Sequence, residues 1–95
     1  MIKVNDNEVK VRNMQSNNGN DIPNQFIIST KNGIYFQSYN SIIAFKCKDG
    51  KTYLDNYYWD YSKTTGKYRN MFLNETKKDT EQKIKDGTYI LTNLN

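Results

Sequence analysis

Phe26-Ile27-Ile28-Ser29-Thr30-Lys31-Asn32-Gly33-Ile34-Tyr35-Phe36-Gln37-Ser38-Tyr39 is the stretch on which the fold turns. Two runs of β-branched and aromatic residues flank Asn32-Gly33. Asn-Gly is the preferred two-residue hairpin loop, because both positions take positive φ. Such a loop predicts Phe26 opposite Tyr39 and Thr30 opposite Tyr35. Cross-strand pairs of this kind contribute roughly 0.2–1 kcal/mol each.

The device repeats downstream. Ile42 to Leu54 carries Asp49-Gly50 as its turn. Alternation predicts Ile43, Phe45 and Cys47 on one buried face with Thr52 and Leu54, and Lys46 and Tyr53 on the other. Strict two-residue pairing sets Lys48 against Lys51, a like-charge pair that costs stability, so a longer or bulged loop is the alternative. Upstream, Ile2-Lys3-Val4, Asn5-Asp6-Asn7 and Val9-Lys10-Val11 read as a further hairpin. Gln15 to Asn24 is polar, holds Gly19 and Pro23, and reads as a surface loop.

After Leu54 the period changes. Ser62 or Thr64 caps a helix running through Thr65 to Leu73, with Tyr68, Met71 and Phe72 as its apolar stripe. Thr76-Lys77-Lys78-Asp79 has capping-box spacing and opens a second helix that ends at Asp86, with Gly87 as its left-handed cap. That helix has little beyond Ile84 to bury and is expected on the surface. Thr88 to Thr92 is the last strand. The expected fold is α+β: one domain over residues 1–95, with a twisted antiparallel sheet of five to seven strands. Residues 1–34 supply a hairpin, a loop and a strand; residues 35–95 supply the rest of the sheet and two short helices on one face. The first helix is expected to pack on Ile43, Phe45 and Leu54.

Composition excludes several classes. A chain of 95 residues makes one domain. An aromatic fraction of 14% argues against disorder. Histidine is absent and Cys47 is the single cysteine, so neither an intrachain disulfide nor a Cys/His metal site is expected. The longest apolar run, Ile42-Ile43-Ala44-Phe45, falls far short of a membrane span, and Met1 to Lys10 lacks the apolar core of a signal peptide. The net charge of +4 permits contact with nucleic acid or an acidic surface and argues against a DNA mimic.

Catalytic chemistry finds little to work with. Without histidine there is no Ser-His or Cys-His pair, and no serine has lysine three residues on. Asp49, Asp55, Asp60 and Asp86 fall at turns or helix ends, where Asp usually serves the backbone. Thr64-Thr65-Gly66-Lys67 resembles part of a phosphate loop, but Tyr61 stands where a glycine is needed and Tyr68 where a Ser or Thr is needed. A helix start there still offers free N–H groups to an anion, beside Lys63 and Lys67. We therefore expect no catalytic residues and no cofactor. The aromatic run Tyr57 to Tyr61 reads as core or its rim, with base stacking as the alternative; Tyr35, Tyr39 and Tyr53 make a second platform. The cations Lys46, Lys48, Lys51, Lys63, Lys67 and Arg69 form a single patch if the second hairpin and first helix pack side by side. With Tyr53 they are the expected binding residues.

Tyr35-Phe36-Gln37-Ser38-Tyr39-Asn40-Ser41-Ile42-Ile43-Ala44, followed by Trp59-Asp60-Tyr61-Ser62-Lys63-Thr64-Thr65-Gly66-Lys67-Tyr68-Arg69-Asn70-Met71-Phe72-Leu73, resembles a family of small proteins of tailed bacteriophages and prophages. The resemblance covers Tyr35 to Asn95 and implies a mobile-element origin and the cytoplasm of a bacterial host. Small phage proteins without catalytic groups commonly act by occupying a surface of a host machine. The functional expectation is an inhibitor that sterically blocks a host defence or nucleic-acid-handling complex, protein or ribonucleoprotein, with an anti-CRISPR protein as its most concrete form. A single-stranded DNA or RNA binder and a virion accessory protein are the alternatives. Charge reversal at Lys67 and Arg69 together is expected to abolish partner binding and leave the domain folded.

Overall fold

The computed structural model describes residues 9–95. In chain order the elements are β1 (Lys10–Gln15), β2 (Asp21–Thr30), β3 (Gly33–Ser38), β4 (Ser41–Cys47), β5 (Thr52–Asp55), α1 (Lys63–Leu73), α2 (Lys77–Lys85) and β6 (Tyr89–Thr92). The strands form one six-stranded sheet in the order of the chain. The α+β class is as expected. The sheet is mixed, however: β1 to β5 pair antiparallel, whereas β6 lies parallel to β5. The two helices return the chain to the starting end of β5, so β6 leaves in the same direction.

Ile2 to Val4 and the turn after them lie outside the described residues. Val11 belongs to β1, which pairs with β2. The expected loop over Gln15–Asn24 contracts to a turn at Ser16–Asn20, closed by the Ser16 N–H on the Asn20 carbonyl at 2.9 Å. Pro23 is tolerated inside β2 because pairing with β1 is irregular there and pairing with β3 starts only at Gln25.

Both hairpins depart from the expected register, with different consequences. In the first, Thr30 stands opposite Gly33 and Ile28 opposite Tyr35. The pairing shifts by two residues, so every side chain keeps its face. The glycine is needed for a close approach as well as for its φ of +146°: a Cβ at Gly33 would collide with the Lys46 carbonyl oxygen of β4. In the second hairpin the loop is Lys48-Asp49-Gly50, closed by Cys47 N–H to the Lys51 carbonyl at 2.8 Å, with Gly50 at φ +95°. The bulged alternative holds, and Lys48 and Lys51 do not oppose each other. Phe45 now pairs with Tyr53 and Ala44 with Leu54. A one-residue slip reverses faces. Leu54 therefore shares the helix side with Ala44, while Phe45 and Cys47 lie on the far side with Tyr53. Ile43 reaches the core because the β3–β4 register breaks between Phe36 and Gln37, turning Ile43 and Ala44 inward together.

The core lies between the sheet and the helices. Phe36 and Leu54 are fully buried, Ile43 is 1% exposed, and Met14, Ile22, Ile27, Leu73 and Tyr89 surround them. Burying each large apolar side chain contributes about 1.5–3 kcal/mol. Ser62 is the N-cap of α1: its Oγ accepts from Thr65 N–H at 3.1 Å. Asn74, left-handed at φ 57°, ends the helix. Thr65, Gly66, Arg69 and Leu73 form its buried face. Tyr68 and Phe72 pack half-buried on the core, but Met71 is 41% exposed. It stands two residues from Leu73, roughly 200° round the helix. The capping box of α2 forms as expected between Thr76 and Asp79, and only Thr80 of that helix is buried. Glu75, between the helices, joins them to β6. It accepts from Thr80 Oγ1 at 2.6 Å, Lys83 Nζ at 2.6 Å and Tyr89 OH at 2.7 Å.

Candidate functional site

The register places one residue of every strand in a single row on the face away from the helices: Val11, Ile28, Tyr35, Phe45, Tyr53 and Ile90. All six are apolar or aromatic. None belongs to the main core. An antiparallel sheet with one covered face normally turns polar residues outward. Here the outward row is as apolar as the inward one, and no described element lies over it. Val11 is 62% exposed and Ile90 38%. Neighbouring outward positions include the uncharged Asn13, Phe26, Thr30, Gln37 and Cys47, with the buried Asp55 carboxylate beyond Tyr53. Lys51 is the cation at the margin. Between Val11 and Ile90, Ile28, Tyr35 and Tyr53 are half-buried and Phe45 is nearly buried, so the row is an apolar strip partly open to solvent, the kind of feature that marks a candidate interaction site.

The rings in the row constrain what it can hold. Tyr35 and Phe45 stack with centroids 4.1 Å apart and planes 16° apart; Phe45 and Tyr53 follow at 6.1 Å and 22°. Parallel stacking across neighbouring strands turns the ring faces toward one another. Phe45, 9% exposed, has no free face for a base. The row presents ring edges and aliphatic groups, a surface suited to another apolar protein surface rather than to stacked bases. Tyr39 is not part of this platform: it sits in the β3–β4 turn at φ 55°. Tyr53 is thus the one expected binding residue that the row contains. Sequence reasoning missed Ile28, Phe45 and Ile90. The signal was present in the unbroken apolar runs Phe26-Ile27-Ile28, Ile34-Tyr35-Phe36 and Ile42-Ile43-Ala44-Phe45, which mean that both faces are apolar.

The expected cationic patch does not assemble. Lys46 lies on the helix side, where its Nζ donates to the Phe72 carbonyl at 2.6 Å and stands 4.6 Å from the Phe72 ring centroid. It satisfies the C-terminal end of α1. Lys48 and Lys51 are exposed at the β4–β5 turn beside it. Lys63 opens α1 at the other end, about 14 Å along the helix axis, and Lys67 follows one turn later; both are exposed.

Arg69 is not a surface residue at all. It is 1% exposed. Its Nη1 donates to the Trp59 carbonyl at 2.6 Å and to Asp60 Oδ1 at 3.3 Å; Nη2 donates to Asn70 Oδ1 at 3.0 Å. The guanidinium also faces the Trp59 ring at 5.3 Å. Arg69 pins the aromatic turn to α1, so reversing its charge disrupts the fold. The expectation that a Lys67 and Arg69 double reversal leaves the domain intact is corrected accordingly.

The aspartates divide by role. Asp55, 1% exposed, accepts from the N–H groups of Tyr57, Tyr58 and Leu94 and from Asn95 Nδ2. Burial works against its charge, but these donors hold its pKa below the usual value. Asp49 and Asp86 accept from the Lys51 and Thr88 N–H groups, as expected of turn aspartates. Asp60 instead binds side chains, Arg69 and Lys77. In the aromatic run, Tyr58 and Trp59 pack half-buried on the core, whereas Tyr57 and Tyr61 are 67% and 62% exposed. Among the described residues no group of three or more Asp, Glu, Cys or His stands together to hold a metal ion. Among them, too, no helix is long and apolar enough to cross a membrane.

A model of the family of unknown function DUF8033 matches residues 9–87, and the chain belongs to that family. No curated protein and no solved structure matches it.

Proposed function

We propose that this DUF8033 domain is a non-catalytic binding protein that lays the open face of its sheet against an apolar surface of a partner protein. The row Val11–Ile28–Tyr35–Phe45–Tyr53–Ile90 carries the reading. An apolar row with exposed ends on a chain of net charge +4 costs solubility unless a partner covers it. The resemblance to small phage proteins gives the reading its concrete form: an inhibitor made in a phage-infected bacterium that occupies a host defence complex, an anti-CRISPR protein being one example. Binding of single-stranded nucleic acid on this face has less support, since its rings stack on one another and Lys51 is the cation at its margin.

The test is a phage challenge of bacteria with an active defence system, with and without the protein. The expected result is restored phage growth that Val11→Glu with Ile90→Glu abolishes at equal protein level. Retained protection by that double variant refutes the reading. In parallel, tight binding of a single-stranded oligonucleotide that weakens steeply with salt would favour the nucleic-acid alternative.

A further inference from the structure

Beside the start of α1 lies an open groove of about 460 Å³, bordered by Lys63, Lys67, Lys77 and Arg69, with Asp60 as its one carboxylate. It is separate from the open sheet face. Asp60 Oδ2 engages Lys77 at 2.7 Å and Oδ1 engages Arg69 at 3.3 Å. Burial opposes its charge, yet these two cations keep it ionised at neutral pH. One negative charge thus faces four positive ones, and the groove keeps a surplus of about three.

The surplus is arranged against the local interest of the fold. Lys63 and Lys67 are four residues apart on one helix face, a spacing at which like charges repel. Neither has a carboxylate partner among the described residues; Lys67 only rests over the Tyr68 ring at 5.3 Å. Lys63 stands at the positive end of the helix dipole, where acidic residues are favoured, and the first turn of α1 has none. The N-cap Ser62 accepts from Thr65 N–H, which leaves the N–H groups of Lys63 and Thr64 without helical partners.

The buried guanidinium adds an independent sign. Arg69 Nε has no hydrogen-bond partner although the residue is 1% exposed. An orphaned donor on a buried cation is costly. Gly66 keeps the Nη end of the guanidinium uncrowded: a Cβ there would stand 3.6 Å from Nη2. The unpaired lysines and the free helix N–H groups therefore open on one concave surface that Arg69 helps to wall, and a single anion relieves them together.

We propose that this groove binds a phosphate group. Tetrahedral phosphate oxygens suit helix N–H groups and point-charge lysines together. The volume exceeds that of inorganic phosphate and admits a phosphate ester, whether a free phosphorylated small molecule or a backbone phosphate of nucleic acid. This holds whatever binds the open face.

The test is a titration of the full-length protein, followed by amide NMR shifts at constant ionic strength, with inorganic phosphate, pyrophosphate and a short single-stranded oligonucleotide. The expected result is saturable binding, with shifts centred on residues 62–70, by at least one of the three. Lys63→Ala with Lys67→Ala is expected to weaken it by about tenfold or more, because each lost charge-assisted contact is worth about a factor of ten. Both residues are exposed, so the variant folds. Lys48→Ala with Lys51→Ala, at the other end of α1, removes the same charge and is expected to bind as before. A tighter fit for pyrophosphate identifies a free ligand, and a tighter fit for the oligonucleotide identifies a backbone phosphate. Shifts that do not saturate, or equal weakening by the two double variants, would show an unspecific charge effect and overturn the proposal.

Discussion

Replacing Arg69 with alanine is expected to bring the domain close to global unfolding. The side chain makes hydrogen bonds to the Trp59 carbonyl and the Asn70 amide oxygen and an ion pair with Asp60. Hydrogen bonds involving a charged group contribute about 1.5–3 kcal/mol each. Asp60 keeps 34% of its side chain exposed, so water partly replaces the guanidinium there, and the ion pair is discounted. The Trp59 carbonyl and the space left by the side chain are not so compensated. The sum is about 3–5 kcal/mol, the usual cost of removing one partner of a buried pair. A domain of 95 residues has about 5–14 kcal/mol of stability in all. At roughly 4–8 °C per kcal/mol, the thermal midpoint should fall by more than about 12 °C. Urea unfolding followed by Trp59 fluorescence gives the value directly. Arg69→Lys keeps the charge but loses the planar fork and should recover little. Lys67→Glu, on an exposed residue two positions away, should leave the midpoint within about 0.5 kcal/mol of the parent. An Arg69→Ala variant within about 1 kcal/mol of the parent, or full recovery by lysine, would refute the reasoning.

Gly66→Ala should stabilise the protein by about 0.5–1 kcal/mol, since the residue is helical and its nearest obstacle is an ordinary contact at 3.6 Å; a fall in the urea midpoint would contradict this. Gly33→Ala should do the reverse and cost more than about 1–3 kcal/mol, because the added methyl meets the β4 backbone at a φ of +146°. Stability should also decline in acid. Burial opposes the charges of Glu75, Asp55 and Asp60, but their hydrogen bonds hold all three pKa values below the ordinary 4.5 and 3.8. A lowered folded pKa adds stability that is present above the unfolded value and disappears as the pH falls through the folded one. Thermal midpoints should therefore hold down to about pH 5 and drop below pH 4. Glu75→Gln should flatten part of that drop. Tyr89, pushed up to about 12 by burial and by Glu75, remains a donor throughout.

The fold class was legible because punctuation and period agreed. Asn32-Gly33, Asp49-Gly50, the Ser62 cap, the Thr76 capping box and Gly87 each sit within a residue or two of an observed boundary. The missing part was register. Asp49-Gly50 is compatible with two- and three-residue loops, and only the longer one relieves Lys48 from Lys51 while moving Phe45 to the outer face. That single residue decides which side of the sheet is the core. The parallel pairing of β6 was also hidden, because a short strand looks the same in either direction. The candidate site was misread for a related reason. Charge alone groups Arg69 with the surface lysines, although it falls four residues before Leu73 on the buried helix face. The ring of Tyr53 is visible in the sequence, but its pairing with Phe45 depends on the register.

The account stands or falls on the open face. Val11 and Ile90, at the two ends of the row, are exposed enough to take glutamate at a cost of about 1 kcal/mol or less. The decisive measurement is quantitative capture of a host protein by the parent, by Val11→Glu with Ile90→Glu, and by Lys63→Glu with Lys67→Glu on the helix side, each confirmed as folded. Loss of one and the same partner by the first variant, with capture intact in the second, is the predicted result. Unchanged capture by the first variant would contradict it.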